Sequence, residues 1–140
     1  MEEDLVLKIV LSVLLVIAGV VSIILSNMNG KEPINVYLFW GNGCPHCEHA
    51  KEYFSKIEKE YDEYFEFVQY EVWYDEENRD LYEKVQKELK DNGSGVPFIV
   101  IGDKSFRGYS SSINQELIDT ILEKYEDKKY VDVVEKVKSN

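Results

Sequence analysis

Both cysteines of this chain lie in one short segment, Cys44-Pro45-His46-Cys47, and the patterns on either side of it limit the folds available. The preceding residues, INVYLFW at 34–40, are almost continuously apolar and rich in β-forming residues, as in a strand buried on both faces. The residues after the segment place apolar side chains at helical spacing. The sequence therefore predicts a central strand, a glycine-rich turn, and a helix that begins at the cysteine pair.

The predicted position of Cys44 at a helix N-terminus indicates redox chemistry. Unpaired backbone N–H groups and the helix dipole favour a thiolate there. Pro45 suits the first helical position, because its φ is already helical and a backbone N–H at this position would have no acceptor within the helix. Cys47 lies one turn further on, close enough to close a disulfide. We interpret Cys44 as the nucleophile and Cys47 as the second catalytic cysteine.

Three other uses of the pair fit the sequence less well. A zinc site needs four ligands, and beyond the cysteines only His46 and His49 are on offer. Attachment of c-type haem needs a histidine directly after the second cysteine, where this chain has Glu48. A purely structural disulfide would close so short a loop that it contributes only about 2 kcal/mol. We therefore expect no metal and no cofactor, and we assign His49 to the helix surface.

An apolar segment at 5–25, LVLKIVLSVLLVIAGVVSIIL, is long enough to span a bilayer. Its single charge, Lys8, lies near one end, where the side chain can reach the interface. A cleavable signal peptide is the main alternative, but its apolar region is normally shorter and its N-terminus positive, whereas this chain begins Met-Glu-Glu-Asp. No cysteine ends the run, which excludes a lipoprotein anchor. We predict a tail at 1–4 and a transmembrane anchor at 5–26.

The net charge of the chain limits its possible partners, but the charges beside the apolar segment do not predict the orientation of the anchor in the membrane. A net charge of −11 argues against nucleic acid and anionic headgroups as partners of the domain. Lys8 and Lys31 flank the two sides of the apolar segment, so the positive-inside count is nearly a tie. An N-terminal apolar segment usually directs a following domain out of the cytoplasm, which suits disulfide chemistry. We expect a single-pass membrane protein with an extracytoplasmic domain, in contact with lipid through its N-terminal helix.

The chain beyond the anchor alternates between strand and helix patterns. Gly102-Asp103 is a two-residue hairpin signal, so the strands on either side of it should be antiparallel. Ser112 and Gln115 have the spacing of a capping box that opens a helix. The other predicted segments are a linker at 27–33, strands at 65–73, 98–101 and 104–109, and a helix that begins near Asp75.

The C-terminal residues, 126–140, leave two interpretations open. Val131, Val134 and Val137 fall on one stripe of a helix. A frayed end explains the same residues equally well. We treat this stretch as an extension that follows a domain at 34–125.

The order of the predicted elements, with Cys-x-x-Cys after the first strand and a Val-Pro before the hairpin, resembles the thioredoxin superfamily over 34–125. Phe39 and Trp40 match part of the thioredoxin signature Phe-Trp-x-x-Trp-Cys, and Gly108 stands where the family usually has a glycine after the last strand. Cys-Pro-His-Cys together with Val96-Pro97 resembles the DsbA type of thiol oxidase. Two positions depart from the pattern: Leu38 replaces a buried acidic residue, and Gly43 replaces the second Trp.

The resemblance implies an α/β thioredoxin-like fold, in which helices flank a central mixed sheet of about four strands. It implies exchange with protein thiols or disulfides and a separate partner that recycles the cysteine pair. It also implies that the Val96–Pro97 bond is cis and faces the cysteines, and that Trp40, Val96 and Pro97 bind substrate.

The direction of electron transfer depends on how strongly Cys44 is stabilised as a thiolate. Pro45 and His46, between the cysteines, are expected to tune the pKa of Cys44, and His46 beside the helix N-terminus should lower it. A stabilised reduced form makes the disulfide oxidising, so we expect an oxidase or isomerase. A membrane-tethered reductase of thioredoxin type is the alternative, and a non-catalytic binding module is a third possibility.

Overall fold

The N-terminal part of the chain is one long helix, α1 (Glu2–Asn27). The computed structural model describes residues 1–27 and 30–140, without the side chains of 25–27, so part of the expected linker lies outside the described residues. Glu2–Ile24 has a mean hydropathy of 2.8 and is the one described helix long and apolar enough to cross a membrane. A signal sequence would meet the same criterion. Contacts divide the chain into two units, Met1–Lys31 and Glu32–Asn140.

The second unit alternates strands and helices in the predicted order. Its elements are β1 (Ile34–Trp40), α2 (Pro45–Ile57), β2 (Phe65–Glu71), α3 (Glu76–Glu88), β3 (Phe98–Ile101), β4 (Lys104–Arg107), a 3₁₀ turn (Ser111–Ile113), α4 (Asn114–Glu126) and α5 (Val133–Lys138).

The described strands form a four-stranded mixed sheet in the order β2-β1-β3-β4. β1 is parallel to β2, with Ile34 opposite Phe65 and Trp40 opposite Glu71, whereas β3 is antiparallel to both β1 and β4. Gly102, with φ +62, makes the turn of the predicted hairpin between β3 and β4, a conformation that favours glycine. The predicted mixed sheet with flanking helices is confirmed.

The central strand β1 is buried on both faces, as its apolar sequence predicts. Side chains alternate across a strand, so Val36 and Leu38 face one helical layer while Tyr37 and Phe39 face the other. The first layer contains Phe54 of α2 together with residues of α4. The second layer contains residues of α3 and α5. The sheet therefore lies between two layers of helices, and α2, which carries the cysteines, is packed against its centre.

Two strands are shorter than predicted. β2 ends at Glu71 rather than at residue 73, because the carboxylate of Glu71 binds the backbone N–H groups that follow it. β4 ends at Arg107 rather than at residue 109. The next residue, Gly108, still donates its N–H to the carbonyl oxygen of Pro97 at 2.8 Å, but its φ of +78 turns the chain out of the sheet.

The capping box predicted at Ser112 and Gln115 is wrong. A 3₁₀ turn precedes α4, whose N-cap is Ile113, without a capping side-chain hydrogen bond. The two side chains have other partners: the Ser112 hydroxyl is 2.6 Å from that of Ser110, and Gln115 donates to Asp119 at 2.9 Å. Neither side chain is therefore engaged with the backbone N–H groups that a capping box requires.

Of the two interpretations of the C-terminal stretch, the structure shows the additional helix, α5. Val134 is fully buried and Val137 packs against the same cluster, but Val131 is 47% exposed and does not belong to the buried stripe. Asp132 explains the difference, because its side chain caps α5 by accepting the Glu135 N–H at 3.0 Å. The helix therefore begins at Val133, and Val133 and Val134 enter the core.

Candidate active site

The cysteine pair lies where β1 leaves the sheet and α2 begins. Cys44 is the N-cap of α2, with φ −86 and ψ 111, and Pro45 occupies the first turn, as predicted. Cys44 and Cys47 form a disulfide, and Cys44 Sγ also accepts the backbone N–H of Cys47 at 3.3 Å. The helix N-terminus therefore presents a polar N–H group to the sulfur of Cys44, where it can stabilise negative charge.

The two cysteines differ in exposure. Cys44 is 7% exposed, whereas Cys47, in the first turn of α2, is completely buried. Pro45 and His46, which lie between them, are both exposed. Of the two cysteines, Cys44 is therefore the one with any exposure to an incoming thiol in this arrangement.

The segment before β3 brings a second part of the chain to the cysteines. The Val96–Pro97 peptide bond is cis, as expected, and the carbonyl oxygen of Val96 is 3.9 Å from Cys44 Sγ. Val96 is half-buried and Pro97 is buried. The structure thus places Cys44 beside the backbone of Val96, although 52 residues separate them in the chain.

Arg107 of β4 holds the residue before Val96. Its Nη1 donates to the carbonyl oxygen of Gly95 at 2.6 Å and to the Tyr82 hydroxyl at 3.0 Å. Its Nη2 donates to Asp91 Oδ1 at 2.9 Å, and this hydrogen bond holds the pKa of Asp91 below its usual value. The sequence analysis did not identify Arg107 or Tyr82, because neither is near the cysteines in the chain.

Trp40, predicted to bind substrate, is half-buried at the end of β1. The ammonium group of Lys51 lies 3.6 Å from the centre of a Trp40 ring and pairs with Glu48 at 2.6 Å. This is a cation–π contact, which occupies one face of the indole. A substrate at Trp40 would therefore meet the ring together with Lys51 and Glu48.

Glu71, at the end of β2, is a residue of the site that the sequence analysis missed. Its carboxylate accepts four backbone hydrogen bonds: from Asn42 at 3.1 Å and from residues 73, 74 and 75 at 2.9–3.1 Å. Partial burial raises the pKa of Glu71, but the four N–H donors outweigh it and hold the pKa below its usual value. One side chain thus joins the turn before Cys44 to the loop after β2.

Trp73, in the loop after β2, covers that same turn. A Cβ atom built on Gly41 would collide with the Trp73 indole ring, so only glycine permits this approach. Trp73 is also 47% exposed. A hollow of about 260 Å³ lies between this loop and the segment before β3, lined by Val72, Trp73, Arg79, Tyr82, Glu83, Gly95 and Val96.

In the described part of the chain, the interior near the cysteines lacks acidic side chains. Leu38, at the position where the sequence departs from the thioredoxin pattern, is completely buried. Among the residues whose burial is described, Thr120 is the sole buried polar or charged side chain, so none of their carboxylates is buried. The searched residues also contain no group of three or more His, Cys, Asp or Glu able to hold a metal ion.

Comparison with known proteins gives structural similarity without sequence similarity. No protein-family model matches the chain, and no curated protein sequence does. The oxidised form of mitochondrial thioredoxin 3 from Saccharomyces cerevisiae is 17% identical, with a TM-score of 0.42, over 69% of this chain and 84% of that one. Thioredoxin from Trypanosoma brucei brucei is 13% identical, with a TM-score of 0.43, over 74% of this chain and 84% of that one.

The features of the structure itself are a β2-β1-β3-β4 mixed sheet between helices, a Cys-x-x-Cys disulfide at the start of α2, and a cis proline beside it. This chain therefore has a thioredoxin-like fold with a Cys44–Cys47 disulfide suited to thiol–disulfide redox chemistry.

Proposed function

We propose that this protein is a membrane-anchored thiol–disulfide oxidoreductase that acts on protein thiols and disulfides through Cys44 and Cys47. One observation carries the proposal: the Cys44–Cys47 disulfide lies at a helix N-terminus beside the backbone of Val96, with Cys44 slightly exposed and Cys47 completely buried. A purely structural disulfide would have no need of this asymmetry. The proposed substrate-binding surface consists of Trp40, Val96 and Pro97.

In the oxidising direction, a substrate thiolate attacks Cys44 Sγ and breaks the Cys44–Cys47 bond. The products of this step are a mixed disulfide at Cys44 and a thiolate at Cys47, which takes up a proton. A second substrate thiolate then attacks the substrate sulfur of the mixed disulfide and releases Cys44. The substrate gains a disulfide, the enzyme gains two electrons and two protons as a dithiol, and a recycling partner must remove them.

Oxidation or isomerisation is the proposed direction, because the site favours a charged Cys44. The backbone N–H of Cys47 points at Cys44 Sγ, and His46 is exposed next to it on the first turn of α2. Groups that stabilise the Cys44 thiolate stabilise the reduced enzyme and make its disulfide a stronger oxidant. Pro45 and His46 are therefore the proposed pKa-tuning residues.

The proposed location is a membrane, with the redox domain outside the cytoplasm. The apolar composition of Glu2–Ile24 supports anchoring. Protein disulfides persist in oxidising compartments, so an enzyme that introduces them would act there, which supports the extracytoplasmic side. The recycling partner is then another redox protein, or a membrane oxidant, of the same compartment.

A redox titration of the Cys44/Cys47 couple against glutathione, combined with a refolding assay on a reduced protein substrate, tests this proposal. We expect the oxidised protein to introduce disulfides into the substrate and the couple to be more oxidising than glutathione. Cys44→Ala should abolish the activity. A couple more reducing than glutathione, with insulin reduction instead, would identify a reductase. A protein that is inactive in both assays, with a cellular role that survives Cys44→Ala, would be a binding module.

A further inference from the structure

Glu71 is the strongest feature near the cysteines that the proposed exchange reaction does not use. It ends β2 directly opposite Trp40, the last residue of β1, because the two strands are parallel and in register. Parallel strands end at the same edge of a sheet, so the loops that follow them are neighbours. Glu71 therefore stands where the turn leading to Cys44 meets the loop leading to α3.

The contacts of Glu71 divide evenly between its two oxygens. Oε1 accepts from Asn42 at 3.1 Å and from Trp73 at 3.0 Å, and thus bridges the two loops. Oε2 accepts from Tyr74 at 2.9 Å and from Asp75 at 3.1 Å, and thus shapes the second loop. Hydrogen bonds from N–H groups to an ionised carboxylate are stronger than neutral ones. No other acidic side chain in the described part of the chain is shown accepting four backbone hydrogen bonds.

The bridged loops also pack on each other. The indole ring of Trp73 lies on Gly41, which is two residues after the buried Phe39. A Cβ atom at Gly41 would not fit beneath the ring. Gly41 in turn accepts the backbone N–H of Cys44 at 3.1 Å, which forms the turn that delivers Cys44 to α2. Hydrogen bonds thus connect Glu71 to the turn at 41–43, and that turn to Cys44.

We propose that Glu71 is a positioning residue for exchange at Cys44: its carboxylate fixes the turn at 41–43 and seats Trp73 on Gly41, so that Cys44 Sγ stays aligned with the N-terminus of α2. This inference rests on the proposed function, since it assigns Glu71 a part in the same reaction. Glu71 itself touches neither cysteine in these contacts, so it acts through the backbone.

Two roles of Glu71 predict opposite changes at Cys44. If Glu71 acted only as a nearby negative charge, its removal would favour the Cys44 thiolate and lower the pKa of Cys44. If Glu71 acts by alignment, its removal loosens the turn, weakens the contact of Cys44 Sγ with the N–H of Cys47, and raises that pKa. The direction of the change therefore separates alignment from charge.

The experiment compares Glu71→Ala and Glu71→Gln with the parent and with Glu66→Gln as a matched control. Glu66 is exposed, lies on the same strand, and loses the same charge. Alkylation of the reduced protein by iodoacetamide, followed against pH, gives the pKa of Cys44. We expect Glu71→Ala to raise it by about one unit, equivalent to a tenfold smaller thiolate fraction below that pKa, and Glu66→Gln to leave it unchanged.

Glu71→Gln should give a smaller shift in the same direction, because one amide oxygen remains as an acceptor while the NH₂ group faces N–H donors. It also carries the test if Glu71→Ala does not fold. In a Trp40→Phe background, tryptophan emission reports Trp73 alone, and we expect a red shift in both variants, as its ring leaves Gly41 for water. A Cys44 pKa that is unchanged or lowered in the folded Glu71 variants would overturn the proposal.

The outcome is independent of whether the protein proves to be an oxidoreductase. If the parent does not exchange disulfides with protein substrates, the proposed function fails, but alkylation of Cys44 still shows whether Glu71 aligns it. If the parent is active and Glu71→Ala alters neither the Cys44 pKa nor kcat/KM, only the role of Glu71 fails. If both hold, kcat/KM of Glu71→Ala should fall about tenfold, within the range that small misplacements cost.

Discussion

At the scale of single residues, the site depends on an unequal pair of sulfurs. Cys44 has a backbone N–H donor, a neighbouring carbonyl oxygen at 3.9 Å and slight exposure to solvent, whereas Cys47, in the first turn of α2, is completely buried. Burial in apolar surroundings disfavours a thiolate, and a helix N-terminus favours one. One turn of helix thus separates a slightly exposed sulfur from a buried one, and under the proposed function small changes around Cys44 should alter the redox potential of the pair.

His46 offers the most direct test of that sensitivity. It is exposed on the first turn of α2, between the cysteines, where a positive charge would favour the Cys44 thiolate. We expect His46→Thr to raise the pKa of Cys44 and to make the couple more reducing, with each 30 mV worth about 1.4 kcal/mol. Thiolate absorbance against pH gives the pKa, and a glutathione equilibrium gives the potential.

The control for this measurement is His49→Thr, which removes the other histidine of the chain from an exposed position one turn further along α2. We expect no change in either quantity there. If His46→Thr behaves in the same way as His49→Thr, His46 has no influence on Cys44, and the proposed oxidising direction loses its main support.

The ion pair between Arg107 and Asp91 makes a separate prediction, for stability against pH. The hydrogen bond from Arg107 lowers the pKa of Asp91 below its usual 3.8, so the folded state binds the proton less well than the unfolded state does. The stabilisation is present above the unfolded pKa and disappears as the pH falls through the lower, folded pKa. At pH 7, Asp91→Asn should reduce the free energy of unfolding by about 1–3 kcal/mol.

Urea unfolding at a series of pH values checks this. The stability difference between the parent and Asp91→Asn should narrow as the pH falls below 3.8. Asp80→Asn, at an exposed position of α3, serves as the control and should cost little at any pH. A difference for Asp91→Asn that stays constant down to the acid limit would mean that the carboxylate charge contributes nothing.

At the scale of elements, α5 shows how a polar side chain attaches a short helix to the sheet. Asp132 caps α5 through the N–H of Glu135, and its other oxygen accepts the Tyr37 hydroxyl of β1 at 2.8 Å. Burial and the hydrogen bond to Asp132 raise the pKa of Tyr37 far above its usual value, so its hydroxyl stays a donor. A six-residue helix is marginal alone, and this contact joins it to the central strand.

The contribution of this contact to stability can be measured by comparing alanine variants of two N-cap residues. Asp75 caps α3 by accepting the Asn78 N–H at 2.9 Å, at an exposed position where its side chain has no hydrogen bond to the sheet in the described contacts. We expect Asp75→Ala to cost about 1 kcal/mol, the usual value of a cap. Asp132→Ala should cost about 2–4 kcal/mol, because it also leaves the Tyr37 hydroxyl with only its longer contact to Glu135, at 3.4 Å. Equal losses in urea unfolding would contradict a role for Asp132 beyond the cap.

The elements that could be predicted from the sequence are those whose signals are local. Three such signals act on the residues beside them and agree with the structure: the apolar run of β1, the hairpin glycine at residue 102 and the proline after Cys44. The predicted capping box failed because Gln115 finds Asp119, one turn along the helix. Glu71 could not have been identified, since one of its partners, Asn42, lies 29 residues away and presents a backbone group common to all residues.

At the scale of the whole molecule, the chain joins an apolar helix to an acidic domain. The helix Glu2–Ile24 has a mean hydropathy of 2.8 and exposes apolar side chains along its described length. Most of the net charge of −11 belongs to the rest of the chain, because the N-terminal unit carries few charged residues. An acidic domain is repelled by anionic headgroups, so the proposed anchor, rather than surface charge, would have to keep it at a membrane.

The proposed topology predicts which parts of the chain a membrane-impermeant thiol reagent reaches in intact cells. Cys44 and Cys47 are the only cysteines of the chain, so labelling of the reduced protein reports the domain directly. We expect Cys44 to be modified in intact, reduced cells and Cys44→Ser to remove the signal, because Cys47 is buried. Labelling that appears only after lysis would place the domain in the cytoplasm.

A second pair of variants shows whether the N-terminal helix spans the membrane. In a background with both cysteines replaced by serine, Ser94→Cys introduces a thiol at an exposed position of the domain and Glu3→Cys introduces one at the start of α1. If α1 spans the bilayer, the first is labelled in intact cells and the second only after lysis, because the two ends of a spanning helix face different compartments. Equal labelling of both in intact cells would show that α1 does not span, and absence of the Glu3→Cys signal even after lysis would show that it has been cleaved.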